Sequence, residues 1–180
     1  MNRFFTKFLI LITLMFVGCN TDLHTKRLAF DNLREKATVT VLDGFMDLSY
    51  VENKGMVFGV LNDIESNLKY YLLTGLTFSA ILFMIYAIWR IRTLSFFYHL
   101  PFFLILSGAF GNFINRLTSG HVVDFIHVYW KNFIDFPYIF NVADVLICIG
   151  EIMLIALVIF KRNAFENVAF EHSKITPDIL

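Results

Sequence analysis

Residues 139–160 read IFNVADVLICIGEIMLIALVIF, an apolar run of membrane-spanning length that nevertheless contains Asp144 and Glu151. A spanning helix needs about 20 predominantly apolar residues, because its backbone must satisfy its own hydrogen bonds in hydrocarbon. A carboxylate at the centre of such a helix costs roughly 2.5 to 3.5 kcal/mol on insertion scales. The stretch therefore predicts a membrane helix whose carboxylates have a function.

The rest of the chain has the composition of a membrane protein. Of its 180 residues, 57% are hydrophobic and only 17% are charged, which departs from the fractions usual for soluble domains. Fifteen basic and fifteen acidic residues cancel, so the bulk charge does not indicate a nucleic-acid partner. Three more apolar segments complete a set of four predicted spans, at about 4–20, 70–89, 93–115 and 139–160.

Basic residues near the span ends predict which side each loop occupies. Cytoplasmic ends of spans are enriched in Lys and Arg, and here they are Arg3, Lys7, Arg90, Arg92, Lys161 and Arg162. Both termini are then cytoplasmic, as is the tail 163–180. Residues 22–69 and 117–138 become outer loops.

The first outer loop contains a hairpin pattern. Ala37 to Leu42 alternates Thr and Val, Asp43-Gly44 is a turn pair, and Phe45 to Val51 resumes a strand-compatible pattern. We therefore predict an all-α integral membrane protein of one domain, residues 1–180, with four transmembrane helices and a small β-sheet on the outer face.

Two aspartates near the same outer interface are the candidate catalytic groups. Asp144 lies about one turn inside the fourth span, on the same helix face as Asn141, and Asp124 interrupts the apolar run from Gly120 to Ile126. A close carboxylate pair holds one shared proton and can supply an acid and a base together. Alternatively, Asp144 is a structural carboxylate that pairs with Arg116, and Asp124 is an ordinary loop residue.

Other catalytic chemistries are poorly supported. His121 and His127 flank Asp124, but their spacing suits neither a metal site nor a charge relay, and we predict no metal and no cofactor. The two cysteines, Cys19 and Cys148, lie in apolar segments without metal-ligand spacing. Packing is their expected role.

Four stretches of the sequence together resemble the lipoprotein signal peptidases, also called signal peptidase II. They are Asp22, Thr25 and Lys26 after the first span; Asn53 to Gly59, which reads NKGMVFG; Gly108 to Arg116 followed by Gly120 to Ile126; and Phe140 to Asp144, which reads FNVAD. Two positions differ from the family pattern: Leu23 replaces Gln, and Asn115 stands where many members have Asp.

The resemblance implies an aspartyl endopeptidase of the bacterial cytoplasmic membrane, with its active site near the outer face and an outer sheet that cradles substrate. The implied substrate is a diacylglyceryl-modified prolipoprotein, cut just before the lipidated cysteine. Membrane lipid is the other implied partner, and we expect a monomer. The implied catalytic pair is Asp124 and Asp144, and the implied site-lining residues are Asn53, Gly55, Asn112, Arg116 and Asn141.

Two other classes of protein fit parts of the sequence. A proton-coupled transporter or channel subunit could also carry Asp144, Glu151 and Arg116, although its polar residues should cross the whole bilayer. Leu14 to Cys19 resembles a lipoprotein cleavage box, which would make this chain a substrate. Against that, three apolar spans follow Cys19 where a lipoprotein normally has a soluble domain.

Overall fold

Four long helices form the body of the molecule. The computed structural model describes residues 3–36, 38–55, 66–130 and 134–160. Each helix contains a stretch long and apolar enough to span a bilayer, which confirms the predicted four-helix architecture. Helix α3 is central, since it packs against the other three and half of its apolar stretch is buried. The helices are α1 (Arg3–Leu33), α2 (Ser66–Arg90), α3 (Phe96–Ser119) and α4 (Val142–Phe160).

The first helix is longer than the sequence pattern predicted. We expected the span to end near residue 20 and an outer loop to begin at Asp22, but α1 continues to Leu33. Residues 19–33 contain neither Gly nor Pro, so nothing in them ends a helix. Asp22, Lys26, Ala29 and Leu33 are all buried, and their spacing forms one helical stripe. Burial of this stripe against the rest of the protein stabilises the extension of the helix.

The other predicted span ends also shift. Helix α4 begins at Val142 rather than at Ile139, because residues 139 and 140 belong to a strand. Helix α3 continues past residue 115 to Ser119. It is capped by Gly120, whose φ of 76° is left-handed and whose N–H donates to the carbonyl of Arg116. Glycine accepts that backbone conformation without a steric penalty. The chain then enters a strand at once.

A four-stranded antiparallel sheet lies beside the helices. Its strands are β1 (Val39–Leu42), β2 (Met46–Asn53), β3 (Val122–Trp130) and β4 (Ile134–Phe140), in the order β1-β2-β3-β4. The predicted hairpin forms β1 and β2 around Asp43-Gly44, where Gly44 has a φ of 79° and the Phe45 N–H donates to the Leu42 carbonyl at 3.0 Å. Strands β3 and β4 were not predicted.

The extension of α1 anchors the sheet. Ala29 and Leu33 form a buried apolar cluster with Val123 and Phe125 of β3. Because successive strand residues point to opposite faces, Asp124 lies on the face opposite these two. Part of the predicted motif, Met56 to Gly59, lies outside the described residues, as do Lys161, Arg162 and the tail 163–180.

Candidate active site

The start of α4 fixes the position of Asp144. Asn141 immediately precedes the helix, and its Oδ1 accepts the N–H of Asp144 at 3.1 Å. In return, Oδ2 of Asp144 accepts the N–H of Asn141 at 3.1 Å. This reciprocal pair is a capping box, and it places the carboxylate at the helix end where the macrodipole favours negative charge.

Strand β3 brings Asp124 to the same place. It pairs with Val51 of β2 and is only 3% exposed. Its Oδ2 accepts a hydrogen bond from Nδ2 of Asn53 at 2.8 Å, and its Oδ1 accepts one from Nδ2 of Asn141 at 2.5 Å. Asn141 thus bonds to both aspartates, which lie on different elements of the fold.

The three asparagines of the site are all oriented in the same way. In each, the side-chain oxygen accepts from a separate donor, so that the amide nitrogen is directed at a carboxylate. Gly55, with a φ of 87°, donates its N–H to Asn53 at 2.8 Å. On α3, Oδ1 of Asn112 accepts from Lys26 at 2.6 Å while its Nδ2 donates to Asp144 Oδ1 at 3.0 Å.

Asp22 and Lys26 belong to this network, although neither was predicted to line the site. Both are buried, and Lys26 Nζ lies 2.7 Å from Asp22 Oδ2. The other oxygen of Asp22 accepts the N–H of Ala143 at 2.8 Å, in the first turn of α4. The sequence feature that could have indicated them is a pair of opposite charges four residues apart on an otherwise apolar helix, because charges buried there require partners.

Arg116 lies beside the site without pairing with either aspartate. Its Nη1 donates to Thr77 Oγ1 at 3.4 Å, and within the described part of the chain it has no carboxylate oxygen within 4 Å. The alternative in which Asp144 pairs with Arg116 is therefore wrong. Asn115 has a local structural role, because its Oδ1 accepts the N–H of Val123 at 2.7 Å and ties α3 to β3.

The surroundings of Asp124 favour its protonated form. Burial raises the pKa of Asp124 to about 6, and the negative charge of Asp144 also raises it. The hydrogen bonds from Asn53 and Asn141 and the charge of Lys26 act in the opposite direction. A carboxyl with this pKa can gain or lose a proton near neutral pH, as an acid catalyst must.

The histidines beside Asp124 have other neighbours. His121 Nε2 lies 3.8 Å from Glu52, and the ring of His127 stacks on that of Tyr129. Among the described residues, no group of three or more His, Cys, Asp and Glu side chains is placed to hold a metal ion. The described site thus contains two carboxyls that accept hydrogen bonds from asparagine side chains.

Comparison with known proteins identifies the family. Residues 12–160 match the family model described as signal peptidase (SPase) II. The lipoprotein signal peptidase of Clostridium tetani (strain Massachusetts / E88) is 36% identical over 156 residues, which cover 87% of this chain and 96% of the relative. That of Acinetobacter baylyi (strain ATCC 33305 / BD413 / ADP1) is 38% identical, over 94% of this chain and 93% of its own.

Solved structures agree on the fold. A bacterial membrane enzyme determined by the in meso method at 1.9 Å resolution superposes with a TM-score of 0.69 at 23% identity, over 84% of this chain and 93% of its own. A second such enzyme, at 2.3 Å resolution, gives a TM-score of 0.64 at 26% identity, over 86% and 90%. The chain belongs to the signal peptidase II family of bacterial membrane peptidases.

Proposed function

We propose that this protein removes the signal peptide from diacylglyceryl-modified prolipoproteins, cutting just before the lipidated cysteine, and that Asp124 and Asp144 are its catalytic pair. The observation that carries this proposal is the bonding of Asn141 to both carboxylates, which joins β3 to the start of α4. Membership of the signal peptidase II family supports the substrate class.

The raised pKa of Asp124 suggests how the two roles are divided. Asp124 is the neutral member, which hydrogen-bonds the scissile carbonyl, and Asp144 is the ionised member, which takes a proton from water as the water oxygen attacks the carbonyl carbon. The proton of Asp124 passes to the carbonyl oxygen to give a tetrahedral diol. The diol then collapses: its hydroxyl proton returns to Asp124, the proton on Asp144 passes to the leaving nitrogen, and an acid and an amine are released.

The location of the aspartates suits a substrate that stays in the membrane. Asp144 is in the first turn of α4, and Asp124 is on the sheet at that same end. With the basic span ends in the cytoplasm, this end faces outward. A signal helix lying in the bilayer would then present its outer end to the two carboxyls. A transport path is less well supported, because the polar network described above gathers at this one end.

The direct test is cleavage by purified protein. A synthetic diacylglyceryl-modified proprotein peptide is incubated with protein reconstituted in lipid nanodiscs, and the released signal peptide is identified by mass. Asp124→Asn and Asp144→Asn are each expected to lower the rate by roughly a hundredfold or more, since each removes one titrating group of an acid–base pair. Asp31→Asn, at an exposed position on α1, is the matched control and should cleave normally.

Two outcomes would count against the proposal. Rapid turnover by either catalytic variant, with thermal stability like that of the unaltered protein, would exclude the aspartyl mechanism. A normal product cut elsewhere than before the cysteine would exclude the proposed cleavage position while leaving the catalytic pair intact.

A further inference from the structure

A large pocket next to Asn53 has a basic lining. Its volume is about 1100 Å³, above the roughly 300–1,000 Å³ usual for small-molecule sites. We call it the basic pocket, because four of its described lining residues are basic, namely Arg34, Lys54, Lys69 and Arg116. Glu52 is the one acidic residue among those described in the lining, and it already faces His121 at 3.8 Å.

Lys69 is the most unusual of these residues. Its side chain is only 8% exposed, yet within the described part of the chain it makes no hydrogen bond and no ion pair. It also lies in the first turn of α2, where the helix macrodipole disfavours a cation. An anionic group bound in the pocket would give this ammonium a charged partner.

Asn53 links the pocket to the proposed catalytic site. Asn53 lines the pocket, and its Nδ2 donates to Asp124. Most of the lining comes from the end of β2, the start of α2 and the end of α3, and β2 pairs with the strand that carries Asp124. In the proposed reaction, the part of the substrate that follows the scissile bond would therefore extend toward the aqueous side through this pocket.

We propose that the basic pocket binds the first residues after the lipidated cysteine and favours substrates in which these residues are acidic. The inference rests on the proposed function, because it names a preference among the substrates of the same site. A peptide is a better fit than a phospholipid headgroup, because Asn53 connects the pocket to the aspartates that cut the peptide.

The test compares peptides that differ only after the cysteine. Three diacylglyceryl-modified peptides carry Asp, Asn or Lys at the two positions that follow it, and kcat/KM is measured in nanodiscs of zwitterionic lipid. We expect the Asp peptide to exceed the Asn peptide by roughly three- to tenfold and the Lys peptide to be slowest, as for charge pairs that are partly desolvated. Higher ionic strength should reduce the ratio.

Variants connect the preference to the pocket. Lys69→Gln should bring the ratio of Asp to Asn peptides close to one, and Lys69→Glu should make the Lys peptide the better substrate. Lys36→Gln, an exposed lysine outside the lining, should keep both the rates and the ratio. Because the ratio is internal to each preparation, partial loss of folded protein does not affect it. If neither Lys69 variant folds, Lys54→Gln and Arg34→Gln take their place.

The result that would overturn the inference is distinct from failure of the proposed function. If the Asn peptide is not cut by the unaltered protein, the proposed function fails. If all three peptides are cut equally well, only the inference fails. Equal cutting together with stimulation by anionic phospholipid that is lost in Lys69→Gln would overturn the peptide assignment and identify the pocket as a headgroup site.

Discussion

At the scale of single residues, neutral amides rather than cations hold the two aspartates. Asn53 and Asn141 bond to Asp124, while Asn112 bonds to Asp144. A cation in contact with both carboxylates would favour ionisation of both and remove the shared proton. Amide donors fix the geometry without that fixed charge. Lys26 therefore acts on Asp144 through Asn112 rather than by direct contact.

The pH dependence of cleavage should reflect the protonation of Asp124. Burial raises the pKa of Asp124 to about 6, so we expect kcat/KM to fall as the pH rises through about 6, when the acid is lost. The Asn53 hydrogen bond lowers this pKa. Asn53→Ala should therefore displace the falling limb to higher pH, in addition to slowing the reaction. The measurement is the pH–rate profile of both proteins, and an unmoved limb in Asn53→Ala would contradict the assignment.

The same pKa has a consequence for stability. Because the pKa of Asp124 is higher in the folded protein than the ordinary value of 3.8, protonation of Asp124 stabilises the folded state. By linkage, this contribution is complete below the ordinary pKa and is lost as the pH rises through about 6.

Arg116 should act by positioning. Its guanidinium bonds to Thr77 and, among the described residues, pairs with no carboxylate. A lysine ammonium cannot reproduce the planar array of N–H donors of the guanidinium. We therefore expect Arg116→Lys to lower kcat/KM by roughly tenfold, which corresponds to about 1.4 kcal/mol of activation free energy. The pH–rate profile of the residual activity should match that of the unaltered protein. A displaced acidic limb would show that Arg116 sets the protonation of the aspartate pair.

At the scale of elements, the site depends on how closely α3 approaches α4. Gly108 of α3 faces the backbone of α4, and a Cβ added there would clash with the carbonyl oxygen of Ala143 and with Ile147. Small residues allow helices to approach in this way in membranes. Since Ala143 directly precedes Asp144, the separation of these helices also sets the distance between Asn112 and Asp144.

We expect Gly108→Ala to impair both folding and catalysis. The added methyl group meets backbone, which cannot rotate away, so the cost should be about 1–3 kcal/mol, as for other overpacked sites. Gly75→Ala on α2 is the matched control, because a Cβ at position 75 meets nothing within 4 Å. The measurements are the thermal unfolding midpoint in detergent and kcat/KM. Equal behaviour of the two variants would show that this helix contact does not position the site.

At the scale of the whole molecule, α1 unites the membrane bundle with the sheet. It packs against α3 and α4, and its extension packs against β2 and β3. It also supplies Asp22 and Lys26 to the polar network. Cleavage before Cys19, as for a lipoprotein precursor, would divide this continuous helix. The structure therefore favours α1 as a permanent span of the folded protein.

Neither cysteine should be needed for activity. Cys19 is buried in α1 and Cys148 is exposed on α4, and a free buried thiol usually acts as a small apolar group. We expect Cys19→Ala combined with Cys148→Ser to keep kcat/KM within about twofold of the unaltered value. Intact mass should show all residues from the start of α1 onward. Loss of activity in a normally folded double variant would instead indicate a thiol mechanism.

The cysteine-free protein allows the orientation to be measured. Asp43→Cys, in the hairpin turn, should react with a membrane-impermeant maleimide in intact spheroplasts, because the sheet is expected outside. Thr93→Cys, in the turn between α2 and α3, should react only after permeabilisation. Both positions are exposed, so accessibility to solvent does not bias the comparison. The reverse labelling pattern would place the active site in the cytoplasm and refute the proposed topology.

Several features of the molecule follow from local sequence patterns alone. Four apolar runs specify four helices, since each helix satisfies its backbone hydrogen bonds within its own residues. Asp43-Gly44 specifies a hairpin for the same local reason. The spacing of Asn141 and Asp144 places both side chains on one helix face, although the capping box that they form was found only in the structure.

Contacts between residues that are far apart in the chain depend on the fold as a whole. Strand β3 forms because β2 lies beside it, and the two are separated by all of α2 and α3. Asp22 and Lys26 join the site because α1 extends alongside α3 and α4, and the basic pocket forms where residues of β2, α2 and α3 meet. No local sequence spacing predicts such contacts. They are set by the packing of whole elements, which no short stretch of sequence encodes.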